Sequence, residues 1–223
     1  MSLPKSDPTE SDTERGSPLI VSVALVLVAW ALLATAPALA CDTALLVIDV
    51  QNLWLEEGDW RTIGGDHIVH AVGEVLRDAR EASLPIVYVQ DTSVAAAYAG
   101  AERLAFPEAI SPQPGDLVFE KRKRDAFSNP ALEQSLREMG VTRLIVSGMA
   151  SDSCVAATVG GAIERGFDLA VIADAHSSGF GGRKAAFMNT IWAGWGIPLP
   201  MSADLDLAGY CPSVDEIEAE PPD

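Results

Sequence analysis

Between Thr43 and Met201, short apolar runs alternate with segments of helical periodicity, and that alternation leaves few folds open. Thr43–Asp49 (TALLVID) is a short, mostly apolar strand that ends in a carboxylate. Strands that are apolar throughout, rather than at alternate positions, belong to parallel sheets covered on both faces. Asp66–Ser83 has helical spacing, with Ile68, Val72, Val75, Leu76 and Ala79 on one side. Leu84–Gln90 reads as the second strand, residues 91–116 as a long irregular segment and Leu117–Glu120 as the third strand. A helix capped by Ser128 or Asn129, with Pro130 at its first position, runs to Met139 and is stopped by Gly140. Arg143–Ser147 is the fourth strand, Ser153–Arg165 the next helix and Asp168–Ala173 the fifth strand. Gly182–Trp195 is the last helix, and Ile197–Met201 is expected to add a sixth strand. Helical crossovers between parallel strands are right-handed. The expected fold is therefore a three-layer, doubly wound, Rossmann-like α/β domain: a mostly parallel six-stranded sheet with helices on both faces. Sites in such sheets gather beyond the carboxyl ends of the strands.

Composition narrows the partners. The 223 residues suit one domain of this kind, assigned to residues 41–210. A formal net charge of -17 argues against a non-specific nucleic-acid binder, which needs a basic face to displace counterions, and disfavours docking on anionic lipid. The three cysteines, Cys41, Cys154 and Cys211, have neither the number of a disulfide framework nor the spacing of a zinc site. At least one thiol is then free, lipid-modified or catalytic. Residues 1–40 precede the domain: a polar, acidic segment, then an uncharged stretch from Gly16 to Cys41 in which Leu19–Ala34 is almost continuously apolar. Ala38 and Ala40 fit a secretory cleavage pattern, although a signal usually begins basic. Cleavage after Ala40, a lipid on Cys41 and an uncleaved membrane anchor over residues 19–40 stay open, and each implies an exported or cell-envelope protein. Residues 211–223 form an acidic tail, expected to be disordered.

Three chemically distinct groups fall at strand ends. Asp49 closes the first strand, Lys121 follows the third, and Cys154 lies just beyond the fourth. Each has a bland reading by itself: a turn or capping aspartate, one cation of the solvated run Lys121-Arg122-Lys123-Arg124, a buried inert cysteine. The surroundings of Cys154 favour chemistry. A glycine ends the strand, a short polar turn follows, and the thiol opens a helix, where the positive end of the dipole favours thiolate. Unpaired backbone N–H groups of that turn are suited to receive an oxyanion.

These segments resemble the isochorismatase-like cysteine hydrolases, a family that includes nicotinamidases and N-carbamoyl-amide hydrolases. The likeness is carried by Ala44–Asn52, by Lys121 with Ala126-Phe127, and by Gly148–Val155 with Thr158, Ala162 and Gly166. Asp174-Ala175 and Asn189 also look like the family, and the likeness runs from about Thr43 to Leu199. It implies a catalytic triad of Asp49, Lys121 and Cys154, the lysine being chosen over Lys123 by its distance from Phe127. It implies a cis Met149–Ala150 peptide and an oxyanion hole from the N–H groups of Ala150 and Cys154. It implies hydrolysis of a C–N bond of a small amide or N-carbamoyl substrate through a thioester, and an assembly of several copies.

Nicotinamidases of this family hold a metal through an aspartate and several histidines, whereas this chain has only His67, His70 and His176. Asp91 stands where relatives often have a histidine. No metal and no cofactor are therefore expected. Trp54 is expected at the pocket mouth, Phe127 as a pocket wall, and Trp60 and Phe106 as further candidates. The alternative is a non-catalytic or regulatory envelope protein that kept the fold, since an oxidising exterior is a poor place for a free catalytic thiol.

Overall fold

A strand with no polar face must be covered on both sides, and β1 (Thr43–Ile48) is: all six of its residues are buried. The computed structural model describes residues 42–55, 62, 64–93, 100–179 and 181–207. After β1 come α1 (Asn52–Leu55), α2 (Gly65–Glu81), β2 (Ile86–Asp91), α3 (Ala101–Leu104), β3 (Leu117–Lys121) and α4 (Pro130–Glu138). β4 (Arg143–Met149), α5 (Ala156–Glu164), β5 (Asp168–Ser177) and α6 (Gly182–Gly194) complete the described strands and α-helices. The leader, Cys41, Trp60, Cys211 and the acidic tail lie outside the described residues. Among the described residues no helix is long and apolar enough to cross a membrane.

The strands form one parallel sheet in the order β3-β2-β1-β4-β5. Alternation along β1 divides the core. Leu45 and Val47 face α2, whose Ile68, Val72, Val75, Leu76 and Ala79 recur at helical spacing. Ala44, Leu46 and Ile48 face the other layer, built from Leu132 and Leu136 of α4, Val159 and Ala162 of α5, and Met188 and Trp192 of α6. Asn129 caps α4 through its side chain, with Pro130 at the first position.

The sheet has five strands among the described residues, not six. Ile197–Met201 does lie beside β5, where the Pro198 and Pro200 carbonyls accept the Val171 and Ala173 N–H groups at 3.0 and 2.8 Å. The residue whose N–H would complete the ladder to Val171 is Pro200, which has none. Farther on, the Ser202 N–H turns to the Asp174 side chain at 2.8 Å. Apolar patterning therefore brings this segment to the sheet edge, and proline keeps it from pairing.

Candidate active site

The winding of the sheet decides where a site can form. β1, β2 and β3 step outward on one side, while β4 and β5 lie on the other, so the winding reverses between the carboxyl ends of β1 and β4. A crevice opens at such a reversal. Asp49 follows β1 and Cys154 follows β4, one on each side of it. The two strands approach closely there. At Gly148, with φ 123°, an added Cβ would lie 2.1 Å from the Ile48 carbonyl oxygen.

Asp49 turns the chain. Its backbone is left-handed, φ 53°, a conformation that a short polar side chain tolerates. Its N–H donates to Val89 at 2.9 Å and its carbonyl accepts from Gln51 at 2.8 Å. Lys121 ends β3 in register with Asp91 of β2. To meet Asp49 it must reach across β2, about 10 Å between strand axes, a span that suits a long flexible cation. The loop after Lys121 is held down by the Ala126 N–H, which donates to Thr158 Oγ at 3.0 Å, and by Asp125, which lies against Gly161 where any larger residue would collide. Beyond β4 the Met149–Ala150 peptide is cis, and Cys154 sits in a π-helical turn, Ser151–Val155, ahead of α5.

These elements bring the three groups together. Lys121 Nζ lies 2.7 Å from Asp49 Oδ2 and donates to Cys154 Sγ at 3.3 Å. It is also 3.6 Å from Asp91 Oδ2. Asp49 and Lys121 are each 2% exposed, so their charges interact with little screening by water. Burial pushes the Asp49 carboxyl up to about 6, against the pull of Lys121. Burial, then the Asp49 carboxylate, push the Cys154 thiol up to about 11, with Lys121 opposing. Burial disfavours the Lys121 ammonium, but the negative groups around it outweigh that and hold it above the ordinary lysine value. The thiol thus rests above the ordinary cysteine value although it lies just ahead of α5, because desolvation and a neighbouring carboxylate both disfavour the thiolate. The resting site holds a neutral thiol beside a base that titrates near neutrality.

Asp49, Asp91 and Cys154 offer ligand-type atoms within 4.8 Å of one another, a spacing that would suit a metal. The cation among them is the Lys121 ammonium. His67 and His70 lie on the exposed side of α2, and neither lines the cavity above Cys154. The residues present do not fit the metal held by nicotinamidases.

That cavity has a volume of about 440 Å³, the scale of a small-molecule site. Asp49 and Cys154 line it together with Trp54, Met149 and Ala150. Trp54, expected at the pocket mouth, is among the lining residues. Phe127 is not. It is 4% exposed, belongs to the core, stacks on Phe167 at 5.6 Å between centroids, and has the Arg165 guanidinium over its ring at 4.8 Å. Its short turn is tied down onto α5, which takes the ring into the core. Phe106 is likewise buried, edge-on to Tyr88.

Two supporting residues carry no sequence signal that marks their work. Gln51, fully buried, accepts from the Asp91 N–H at 2.9 Å and donates to the Leu104 carbonyl at 2.8 Å, which fixes the strand end beneath Asp91. His176, at the end of β5, meets Ser151 Oγ through Nδ1 at 2.8 Å and Asn189 Oδ1 through Nε2 at 2.7 Å. Asn189 donates its own N–H to the Ala173 carbonyl, so its oxygen must face the ring and Nε2 must carry the proton. Nδ1 is then left to accept from Ser151, in the turn that holds Cys154. Burial keeps His176 below the ordinary histidine value, in the neutral form this relay needs.

A parallel α/β sheet whose winding reversal carries a thiol and a carboxylate in one cavity wall, with a buried lysine against both, defines a class, the α/β cysteine hydrolases. A model of the isochorismatase domain matches residues 43–197, and the chain belongs to the isochorismatase family. Streptothricin hydrolase of Streptomyces noursei is 32% identical over 149 residues, which cover 65% of this chain and 58% of that protein. Ureidoacrylate amidohydrolase RutB of Methylobacterium radiotolerans is 25% identical over 218 residues, covering 75% of this chain and 84% of the relative. Among solved structures, N-carbamoylsarcosine amidase from Thermoplasma acidophilum shares the fold, with a TM-score of 0.64 at 23% identity over 74% of this chain and 99% of that chain.

Proposed function

We propose that this hydrolase is a cysteine amidohydrolase, cleaving the C–N bond of a small amide or N-carbamoyl compound through a thioester on Cys154. The observation that carries the reading is the Lys121 ammonium, 2.7 Å from Asp49 and 3.3 Å from Cys154 beneath a small cavity. Names among the relatives, ureidoacrylate amidohydrolase above all, support C–N chemistry. The non-catalytic alternative is not favoured: an inert domain has no use for a buried carboxylate and lysine in contact with a half-buried thiol.

In this reading Asp49 takes the Cys154 proton, and Lys121 stabilises the negative charge as it moves to sulfur. The thiolate attacks the carbonyl carbon, forming a C–S bond, and the N–H groups of Ala150 and Cys154 receive the oxyanion. Losing one such donor typically costs ~100- to 1000-fold in rate. Asp49 returns its proton to the leaving nitrogen as the C–N bond breaks, giving ammonia or an amine. Water, deprotonated by Asp49, attacks the thioester; the acid departs and sulfur regains its proton. One difficult displacement becomes two easier ones. The test is ammonia release from a panel of amides and N-carbamoyl compounds by the wild type and by Cys154→Ala. Release by the wild type alone is expected; equal release by both proteins refutes the mechanism.

A further inference from the structure

The charges around the cavity are unevenly committed. At the floor Lys121 faces two carboxylates, Asp49 at 2.7 Å and Asp91 at 3.6 Å, and its side chain is fully buried. Its charge is used there and is not offered to a ligand. The next three residues, Arg122, Lys123 and Arg124, also line the cavity, yet they are exposed and so stand at its mouth. None of the three makes an ion pair or a side-chain hydrogen bond with any described residue. The acids flanking them in sequence do not neutralise them. Asp125 caps the Phe127 N–H at 2.9 Å and lies against Gly161; Glu120 lines an adjoining cavity with Arg122 and Lys123 but forms an ion pair with neither.

This cluster belongs to a chain with 15 basic and 32 acidic residues. Such a molecule repels anions over most of its surface, and a local cationic opening is what admits one. Clefts with low-dielectric walls focus that field, and the apolar wall of Trp54, Met149 and Ala150 is of this kind. A neutral amide needs no cationic mouth, and a cationic one is repelled by it. Guanidinium groups pair with carboxylates through two parallel hydrogen bonds, which fixes orientation as well as charge.

We infer that Arg122, Lys123 and Arg124 form an anion subsite, and that the substrate is a small amide or ureido compound bearing a carboxylate at the end remote from the scissile carbonyl. The scissile half of this statement rests on the amidohydrolase reading; the subsite does not. In the bound geometry the carboxylate meets the mouth while the carbonyl points down to Cys154, so the subsite sets specificity and leaves the chemistry to the floor.

Two reagents of nearly equal size separate charge from shape: iodoacetate, which carries a carboxylate, and iodoacetamide, which does not. Alkylation of Cys154 by each is followed by mass spectrometry at that residue, in the full chain and in an R122Q/K123Q/R124Q variant. The iodoacetate-to-iodoacetamide rate ratio is expected to fall about 10-fold or more in the variant, the low end of what electrostatic focusing supplies. Salt titration of the wild type needs no variant to fold: its ratio should drop as ionic strength rises, because the exposed cations are screened. A ratio indifferent both to the substitutions and to salt overturns the subsite. Ammonia release separates the two readings. Selective alkylation by iodoacetate with no ammonia from any panel compound overturns the amidohydrolase and leaves the subsite standing. Equal turnover of neutral amides and their carboxylate-bearing counterparts overturns the subsite and leaves the amidohydrolase standing.

Discussion

Lys121→Met tests the electrostatics of the site most directly, because methionine keeps most of the stem and removes the charge. In the wild type, burial raises the Asp49 carboxyl and Lys121 pulls it back, leaving it at about 6. A unit charge 2.7 Å from the carboxylate is worth about 6 kcal/mol at an effective dielectric of ~20. Water entering the vacated volume screens part of this. A quarter of it still amounts to about one pH unit, at ~1.4 kcal/mol per unit. Asp49 in the variant should then ionise at pH 7 or above. The assay needs no substrate: it is the rate of Cys154 alkylation by iodoacetamide as a function of pH. In the wild type the rate climbs as Asp49 ionises and becomes able to accept the thiol proton. In the variant that climb should move upward by at least about one unit. Stability moves with the same group. A carboxyl whose folded value lies above its unfolded value opposes folding once ionised, so the cost is present at high pH and is lost as pH falls through the folded value. Breaking a buried pair costs ~3–5 kcal/mol. Lys121→Met should therefore melt furthest below the wild type in mild alkali and recover ground as Asp49 protonates. A folded Lys121→Met protein whose alkylation still climbs near pH 6, the wild-type position, refutes the coupling.

Gly148→Ala would place a methyl group 2.1 Å from the Ile48 carbonyl, on a backbone that L residues avoid. It should cost about 3 kcal/mol or more, read as the urea midpoint, and a midpoint near the wild type refutes the close approach of β1 and β4. His176→Phe removes the acceptor of Ser151 and the donor to Asn189. We expect ~1–3 kcal/mol of lost stability and a fall in kcat with KM little changed, and adding Ser151→Ala should cost less than it does alone. Independent, additive effects would show that the relay does not hold the Cys154 turn. Phe127→Ala should lose ~3–5 kcal/mol with KM unmoved. A raised KM in a variant of undiminished stability would return that ring to the pocket.

What could be read from the sequence was what depends on local pattern. Continuous apolar runs marked the parallel strands, Asn129 and Pro130 marked the start of α4, and three reactive side chains fell at strand ends. Their convergence followed from one topological rule, because Asp49 and Cys154 flank the winding reversal and Lys121 reaches it from β3. Features that depend on pairing or on distant neighbours were not readable. Ile197–Met201 looks like a strand in its apolar residues, and only the sheet reveals that Pro200 stands where an N–H is required. Phe127 carries the same side chain whether it meets a ligand or Phe167, and the docking of its turn onto α5 decides between them. The work of Gln51 and His176 is invisible for the same reason: their hydrogen-bond partners lie 40 and 25 residues away in sequence.

The resting state of Cys154 bears on how the proposed mechanism keeps its nucleophile. With Asp49 near 6 and Cys154 near 11, the pair holds one proton at neutral pH, and that proton sits on sulfur. Oxidants and alkylating agents react with thiolate, not with the neutral thiol. A thiol kept neutral until it is needed is therefore protected in any compartment, including an oxidising one. In the proposed mechanism the nucleophile forms when the proton crosses to Asp49, and bound substrate favours that crossing. Its carbonyl presents an oxygen that gains charge as sulfur attacks, and its bulk expels the water that would otherwise solvate the carboxylate. Slow alkylation of the ligand-free protein is then what this enzyme should show, and rapid alkylation at rest is the wrong criterion for it. Reactivity in this site belongs to the complex with substrate rather than to the cysteine alone.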